Sequence, residues 1–301
     1  MSHHPPSTPG APDLNRVRGI MVDMDGCLVL SDKPGGDDGL ALPGAARAIA
    51  ALRAAEFPFA VFTNASSRLP STIARELELA GLPVSEEQVL TPSVVAARVL
   101  AERHPGAPIL AFGDEGLTGP LSRAGVPTVD VERALAEGSP RVEAVMIGWD
   151  VSFDRPKIQL ATDALRNGAK LYCASDVPAF ASRGSSTNVG VSGFIAAGLR
   201  HVSGVDWEVV GKPSAAAMAA ISDVLGVAES ELLIVGDDLV LESGMARANG
   251  AQSVIVTTGM TTREQAESAP ESQAPTWIVD SLHEFVELLS PRLELHAAAA
   301  G

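Results

Sequence analysis

Residues 20–28 read Ile-Met-Val-Asp-Met-Asp-Gly-Cys-Leu, an apolar run that ends in two aspartates separated by one residue. A short apolar run of this kind predicts a buried strand whose carboxyl end carries the charge. Buried carboxylates are costly unless they are paired or bind a cation. The sequence therefore predicts that Asp23 and Asp25 belong to a functional site at the tip of a strand.

The composition excludes several classes of protein. The chain has 301 residues, 46% of them apolar, which is enough for a substantial aliphatic core. Its net charge of −15 argues against a surface for nucleic acid or anionic membrane. No apolar run approaches the ~18 residues of a membrane span. The two cysteines, Cys27 and Cys173, form no CxxC pair, as is typical of a reducing compartment, and we expect a cytoplasmic protein.

Strand-like and helix-like segments alternate along most of the chain. This pattern predicts an α/β protein whose core is a doubly wound, Rossmann-like parallel sheet formed by residues 17–84 and 206–290. A second series of strands and helices predicts a large α/β cap domain inserted at 85–205. We expect residues 1–16 to be a disordered tail and residues 291–301 to be frayed.

Four polar clusters each follow a short apolar run. In open α/β sheets the ligand crevice lies beyond the carboxyl ends of the strands, so we expect the four clusters to converge on one crevice. They are Asp23 with Asp25, Thr63 with Asn64, Lys212, and Asp237 with Asp238 and Glu242.

The chemistry of these clusters is complementary. Carboxylates suit Mg²⁺, and Mg²⁺ offsets the repulsion between an anionic nucleophile and a phosphoester. One aspartate can form an aspartyl-phosphate, and another can protonate the leaving oxygen and then deprotonate water. A threonine hydroxyl and a lysine can hold the phosphoryl oxygens as charge develops. The pattern therefore indicates magnesium-assisted phosphoryl transfer.

Four motifs in this order are typical of one family: DMDG at 23–26, TNAS at 63–66, GKP at 211–213 and GDD at 236–238. With these motifs the chain resembles the haloacid dehalogenase superfamily of phosphohydrolases. More narrowly, it resembles the branch that contains the NagD-type, 4-nitrophenylphosphatase, pyridoxal-phosphate and phosphoglycolate phosphatases. In that family a large α/β cap lies between the second and third motifs. The resemblance implies Mg²⁺ as cofactor, a small phosphorylated metabolite as partner and, on the resemblance alone, a homodimer formed through the cap.

The resemblance also implies a role for each matched position at the first two motifs. Asp23 is the expected nucleophile and a metal ligand. Asp25 is the expected general acid and base, and its backbone carbonyl also binds the metal. Thr63 is expected to bind the phosphoryl group, with Asn64 and Ala65 beside it at the substrate.

The later motifs match less completely. Lys212 is implied to neutralise the phosphate and the nucleophile, and Asp237 is implied to be a metal ligand. Five residues after that aspartate the family usually has a second one, where this chain has Glu242. We expect Glu242 to support Mg²⁺, directly or through water. The alternatives are that it points away or that Asp238 shares the task. In the cap, Asp176 is expected either to face the substrate or to be an exposed turn aspartate.

The expected function is that of a Mg²⁺-dependent phosphatase acting on small phosphomonoesters such as sugar phosphates, phosphoglycolate-like acids or nucleotides. Three alternatives stay open. A carbon–halogen hydrolase needs only the nucleophile, and Asp25 argues against it. A phosphomutase of this fold usually carries a smaller, helical cap. A catalytically weak or non-catalytic binding protein is favoured only by Glu242.

Overall fold

The computed structural model describes residues 12–30, 39–138, 141–180 and 188–300. Strands and helices alternate through these ranges. The strands are β1 (Gly19–Asp23), β2 (Val29–Leu30), β3 (Leu40–Ala41), β4 (Phe59–Phe62), β5 (Val89–Leu90), β6 (Ile109–Phe112), β7 (Ala144–Ile147), β8 (Lys170–Cys173), β9 (Ala179–Phe180), β10 (Asn188–Val189), β11 (Trp207–Val209), β12 (Leu232–Gly236), β13 (Gln252–Val256) and β14 (Trp277–Val279). The helices are α1 (Ala45–Ala54), α2 (Pro70–Leu79), α3 (Pro92–Arg103), α4 (Glu115–Arg123), α5 (Val131–Glu137), α6 (Arg155–Arg166), α7 (Val191–Ser203), α8 (Ala215–Leu225), α9 (Met245–Ala248), α10 (Arg263–Glu267) and α11 (Leu282–Ala300).

Six parallel strands form the first sheet, in the order β14-β13-β12-β1-β4-β5. β1 is central, and its Met21 pairs with Ile234 of β12 and Ala60 of β4. All five residues of β1 are buried, as expected for a parallel sheet covered on both faces. From β1 the chain adds β4 and β5 on one side of the sheet and later β12, β13 and β14 on the other. A ligand crevice is expected beyond the carboxyl end of the strand at which this change of side occurs. The predicted α/β fold with a parallel core sheet is confirmed.

A second sheet has four parallel strands in the order β11-β8-β7-β6. β2 pairs with β3, and β9 with β10, as two short antiparallel strand pairs. The predicted domain boundaries, after residues 84 and 205, do not coincide with the points at which the chain passes from one sheet to the other. β5 pairs with β4 in the first sheet, and β11, predicted to resume the core, pairs with β8 in the second. Strands of two or three residues carry too little apolar pattern to indicate their partners. The inserted domain as such stays a prediction.

Apolar side chains cover both faces of the first sheet. Ile20 and Val22 belong to a cluster that includes side chains of α1 and α11, whereas Met21 points to the opposite face. Met21 belongs to a second apolar cluster on that face, which contains residues of α3 and α8 together with Met146 and Tyr172 of the second sheet. One continuous apolar layer therefore joins the two sheets.

The amino-terminal segment differs in part from the predicted tail 1–16. Residues 1–11 lie outside the described ranges, but Leu14–Arg16 form a 3-10 turn. The backbone N–H of Asp13 donates to Oε1 of Gln252 over 2.7 Å, and Nε2 of Gln252 donates to the carbonyl of Asp13 over 2.9 Å. This paired amide contact fixes the segment to β13, which hydropathy alone does not reveal.

The carboxyl-terminal segment differs from the predicted frayed tail as well. α11 continues through Pro291 as far as Ala300. The guanidinium of Arg292 donates two hydrogen bonds to the carbonyl of Val17 and lies 5.2 Å from the ring centre of Phe57. These tertiary contacts stabilise the helix although proline removes one backbone donor from it. Within the described ranges, no helix has the length and apolar character needed to cross a bilayer.

Candidate active site

The predicted polar clusters meet at the carboxyl edge of the first sheet. Asp23 is the last residue of β1, Thr63 follows β4 and Asp237 follows β12. Lys212 follows β11 of the second sheet and still reaches the same place. All four line one cavity, so the convergence expected from the sequence is what the structure shows.

Lys212 lies at the centre of the site with its side chain only 1% exposed. Its ammonium donates to Oδ1 of Asp23 and, over 2.7 Å, to Oε1 of Glu242. Burial by itself would lower the pKa of Lys212, but the carboxylates of Asp23 and Glu242 outweigh that effect and raise the pKa above its ordinary value. Lys212 is therefore positively charged at neutral pH and holds the nucleophile candidate in place.

Asn64 holds the backbone of Lys212. Its Nδ2 donates to the carbonyl of Lys212 over 2.8 Å, and its Oδ1 accepts from the backbone N–H of Lys212 over 2.9 Å. A side chain at Gly211 would place Cβ 2.8 Å from Oδ1 of Asn64 and 2.4 Å from the carbonyl of Ala174, so a glycine is required there. Asn64 lines the cavity, but its amide is engaged in positioning Lys212.

Thr63 orients Asp25. Oγ1 of Thr63 donates to Oδ2 of Asp25 over 3.0 Å and accepts from the backbone N–H of Ala65 over 3.1 Å. Burial, followed by the negative charge of Asp23, raises the pKa of Asp25 to about 6. A carboxyl with such a pKa is partly protonated near neutrality, which suits a group that donates and accepts a proton. Ala65 contributes to the site through its backbone.

Asp237 is held by backbone from two other loops. Its Oδ2 accepts from the N–H of Met260 over 2.7 Å. A Cβ at Gly26, where φ is +84°, would lie 2.2 Å from this oxygen, and a Cβ at Gly259 would lie 1.8 Å from it. Burial and then the charge of Asp23 raise the pKa of Asp237 well above its usual value. The sequence analysis did not identify the loop at Gly259 and Met260. A signal was present, because β13 is followed by Thr-Thr-Gly, and the other site residues also come from polar segments that follow apolar strands.

Glu242 is held by two hydrogen bonds beneath Lys212, and its expected role at the metal stays a prediction. It is fully buried, and its two oxygens accept from Lys212 Nζ and, over 3.0 Å, from the backbone N–H of Asp238. Burial raises the pKa of Glu242 to about 7 although Lys212 lowers it. A Cβ at Gly236 would lie 2.3 Å from Cγ of Glu242. The methylene by which a glutamate is longer than an aspartate therefore occupies the space left by the missing side chain of Gly236. Glu242 therefore contacts Lys212 and is not among the described residues that line the cavity.

Asp176 lies outside the site. Its side chain is exposed, whereas its neighbours Ser175 and Val177 line the cavity. The backbone of Asp176 packs closely against Gly193, where a built Cβ would lie 2.6 Å from Cα of Asp176. The exposed-turn interpretation is the one that the structure supports. Residues 181–187 of the adjacent segment lie outside the described ranges.

The cavity has two chemically different walls. Carboxylates and hydroxyls from the first sheet form one wall. The other is largely apolar and includes Trp149, Val177, Ala179, Phe180 and Val191. The rings of Trp149 and Phe180 make an edge-to-face contact with centroids 6.2 Å apart. The sequence did not indicate these aromatic residues, because neither lies in a motif.

The residues fit a divalent cation by their chemistry. Across the described ranges, no three His, Cys, Asp or Glu side chains are gathered as a formed metal site. Even so, Asp23, Asp25 and Asp237 line the same cavity, and burial raises the pKa of each. A neighbouring carboxylate adds to this effect, which is Asp238 for Asp23 and Asp23 for the other two. Lys212 offsets only part of this negative charge. A hard cation with oxygen ligands would offset the rest.

Comparison with known families decides the assignment. A sequence model described as haloacid dehalogenase-like hydrolase matches residues 20–127, and one described as HAD-hydrolase-like matches residues 209–285. The chain belongs to the haloacid dehalogenase-like hydrolases. The first match contains Asp23 and Thr63, and the second contains Lys212 and Asp237. The family predicted from the four motifs is confirmed.

Individual relatives of this hydrolase cover nearly its whole length. The 5'-nucleotidase YutF of Bacillus subtilis is 27% identical over 91% of this chain and 99% of that protein. Chronophin of Homo sapiens is 28% identical over 91% and 94% of the two chains. The solved structure of a glycerol phosphate phosphatase from Mycobacterium tuberculosis in complex with magnesium has a TM-score of 0.77 and 27% identity, covering 90% of this chain and 76% of that one.

Proposed function

We propose that this hydrolase is a Mg²⁺-dependent phosphatase that cleaves small phosphomonoesters through an aspartyl-phosphate on Asp23. The observation that carries the proposal is the arrangement of two pairs of residues around one cavity: Asp23 accepts a hydrogen bond from the ammonium of Lys212, and Asp25 accepts one from Thr63. The relatives support it, since one is named a nucleotidase and another a glycerol phosphate phosphatase in complex with magnesium. In this proposal Asp23, Asp237 and the backbone carbonyl of Asp25 would hold the metal.

In the first half of the reaction, a carboxylate oxygen of Asp23 bonds to phosphorus and the bond between phosphorus and the ester oxygen breaks. Asp25, oriented by Thr63, gives its proton to the departing oxygen, which leaves as an alcohol. Lys212 orients Asp23 and offsets charge on the phosphoryl group. Bound Mg²⁺ would supply further charge neutralisation between nucleophile and phosphate.

In the second half, Asp25 is a carboxylate and takes a proton from water. The water oxygen bonds to phosphorus, and the bond between phosphorus and Asp23 breaks. Inorganic phosphate leaves, Asp23 is again a carboxylate and Asp25 is again protonated. The raised pKa of Asp25, about 6, lets one group serve in both directions near neutral pH.

Asp25 favours this function over carbon–halogen hydrolysis. A halide leaves without a proton, whereas an alkoxide needs one, and the carboxyl of Asp25, which accepts a hydrogen bond from Thr63, lines the same cavity as Asp23. The four-stranded second sheet argues against the small helical cap of a phosphomutase. Glu242 no longer favours a non-catalytic protein, because its contact with Lys212 leaves the nucleophile and the acid in place.

The experiment is a panel of about 50 phosphomonoesters, assayed for phosphate release with Mg²⁺ and with EDTA. We expect release that depends on Mg²⁺ and that falls by at least about 10³-fold in Asp23→Asn. Acid quenching of the wild-type reaction, followed by mass spectrometry, should find an increase of one phosphoryl group on the peptide that contains Asp23.

Asp114→Asn is the matched control, because Asp114 is an exposed aspartate at the start of α4 and does not line the cavity. It should retain wild-type activity. Release of phosphate that persists in EDTA, or in folded Asp23→Asn, would contradict the proposal.

A further inference from the structure

The pairing of β1 with β12 ends before the residues that the proposed function assigns to the metal. Val22 and Val235 are the last pair of that ladder, and Asp23, Asp25 and Asp237 lie beyond it. Mg²⁺ requires nearly octahedral oxygen ligands at about 2.1 Å, so a small displacement of one strand end relative to the other weakens its binding. The ladder alone therefore does not set the distance between these ligands.

The loop 258–261, which follows β13, contacts both strand ends. Oγ1 of Thr258 donates to the carbonyl of Gly26 over 2.7 Å. The backbone N–H of Met260 donates to Oδ2 of Asp237, also over 2.7 Å. One short segment therefore binds the turn after β1 and the aspartate after β12.

The three backbone segments are in close contact at this point. A Cβ at Gly259 would lie 1.8 Å from Oδ2 of Asp237, and a Cβ at Gly26 would lie 2.2 Å from that oxygen and 3.2 Å from Cα of Gly259. The backbone N–H of Thr261 also donates to the carbonyl of Asp237 over 3.1 Å. Because the two glycines bring the backbones so near, a displacement of the loop displaces the carboxylate and the turn together.

Of these contacts, the one with Gly26 is made by a side chain, that of Thr258. We infer that Thr258 is a positioning residue for the divalent cation, whose hydroxyl fixes the turn that carries the carbonyl of Asp25 relative to Asp237. The inference rests on the proposed function, in which that carbonyl, Asp23 and Asp237 hold Mg²⁺. Thr258 is not among the described residues that line the cavity, so it acts on the metal through the backbone.

The experiment measures the binding of Mg²⁺ and of Ca²⁺ to the protein by isothermal titration calorimetry, without substrate. Thr258→Val keeps the shape of the side chain and removes the hydroxyl, so we expect the Kd for Mg²⁺ to rise about tenfold. Ca²⁺ accepts irregular ligand geometry, so its Kd should rise less than about threefold. Thr258→Ser retains the hydroxyl and should bind both ions as the wild type does.

Thr257→Val is the matched control, because the hydroxyl of Thr257 donates to Oδ1 of the exposed Asp280 over 3.3 Å and not to the site. It should leave both Kd values unchanged. Melting temperatures in EDTA show whether each variant is folded, and Thr258→Ala is a second variant that should lose Mg²⁺ affinity as Thr258→Val does. An unchanged Kd for Mg²⁺ in folded Thr258→Val, or an equal loss of affinity for Mg²⁺ and Ca²⁺, would overturn the inference.

Calorimetry together with the phosphate-release assay separates this inference from the proposed function. If the wild type binds Mg²⁺ but hydrolyses no ester, and Thr258→Val weakens that binding, the phosphatase proposal fails and the positioning role stands. If esters are hydrolysed with Mg²⁺ and Thr258→Val binds the ion as tightly as the wild type, the positioning role fails and the phosphatase proposal stands. A wild type that binds no Mg²⁺ would overturn both.

Discussion

The ammonium of Lys212 lies between the carboxylates of Asp23 and Glu242, with 2.7 Å to Oε1 of Glu242. The three groups come from the ends of β1, β11 and the segment after β12, and all three side chains are buried. Removing one member of a buried ionic cluster leaves the others without compensation. A substitution in this cluster therefore affects the stability of the fold and turnover together.

Lys212→Met is expected to abolish turnover and destabilise the protein together. Two buried carboxylates would lose their counter-ion, so the free energy of unfolding should fall by about 3–5 kcal/mol and kcat by at least about 10³-fold. Denaturant unfolding and steady-state kinetics measure the two effects. Lys170→Met, at an exposed lysine of β8, is the control and should change neither quantity. Near-normal stability of Lys212→Met would show that the cluster is not coupled as described.

Glu242→Gln is expected to reduce kcat about tenfold or more while changing the Mg²⁺ concentration for half-maximal activity by less than about threefold. Both oxygens of Glu242 accept hydrogen bonds from protein donors, so its loss should affect Lys212 before it affects a metal. Asp237→Asn is the comparison variant and should raise the Mg²⁺ requirement at least about tenfold. A similar increase in Glu242→Gln would mean that Glu242 is a ligand after all.

Asn64→Ala should lower kcat about tenfold and the free energy of unfolding by about 1–2 kcal/mol. The substitution removes both hydrogen bonds to the backbone of Lys212 and leaves a partly buried N–H and carbonyl without partners. Kinetics and thermal unfolding measure the change. The exposed Asn15 is the matched control position, and Asn15→Ala should have no effect on kcat. A larger effect on KM than on kcat would instead point to direct contact between Asn64 and substrate.

The metal-free protein should lose stability as the pH rises from 5 to 7.5. The pKa of Asp25 is raised from 3.8 to about 6, so the folded state binds this proton more tightly than the unfolded chain. Its stabilising contribution, at most about 3 kcal/mol, is complete below about pH 4 and is lost as the pH passes 6. Melting temperatures measured in EDTA across this range test the sign. Asp25→Asn should flatten the dependence, and an unchanged slope in that variant would contradict the assignment.

The local sequence was sufficient to predict those strands and helices whose apolar pattern is long and continuous. The run Gly19–Asp23 is apolar up to its last residue, which predicts both a buried strand and a charge at its tip, and β1 has that form. The positions of Asp23, Thr63 and Asp237 after apolar runs also predicted that they meet, because carboxyl ends of parallel strands share one edge. Lys212 was predicted to join them, and it reaches the same cavity from the end of β11 in the second sheet. The roles of these residues in catalysis stay predictions.

What the sequence by itself determined is therefore the α/β fold, the family and the identity of the polar residues at the strand ends. Only the tertiary structure decided that β11 joins the second sheet, that Glu242 contacts Lys212, and that Trp149 and Phe180 line the same cavity as the carboxylates. Asn64 and Lys212, which bond to each other, are 148 residues apart in the chain. Contacts between residues so far apart in the chain depend on how whole strands and helices pack, so they cannot be predicted from the local hydrophobic periodicity.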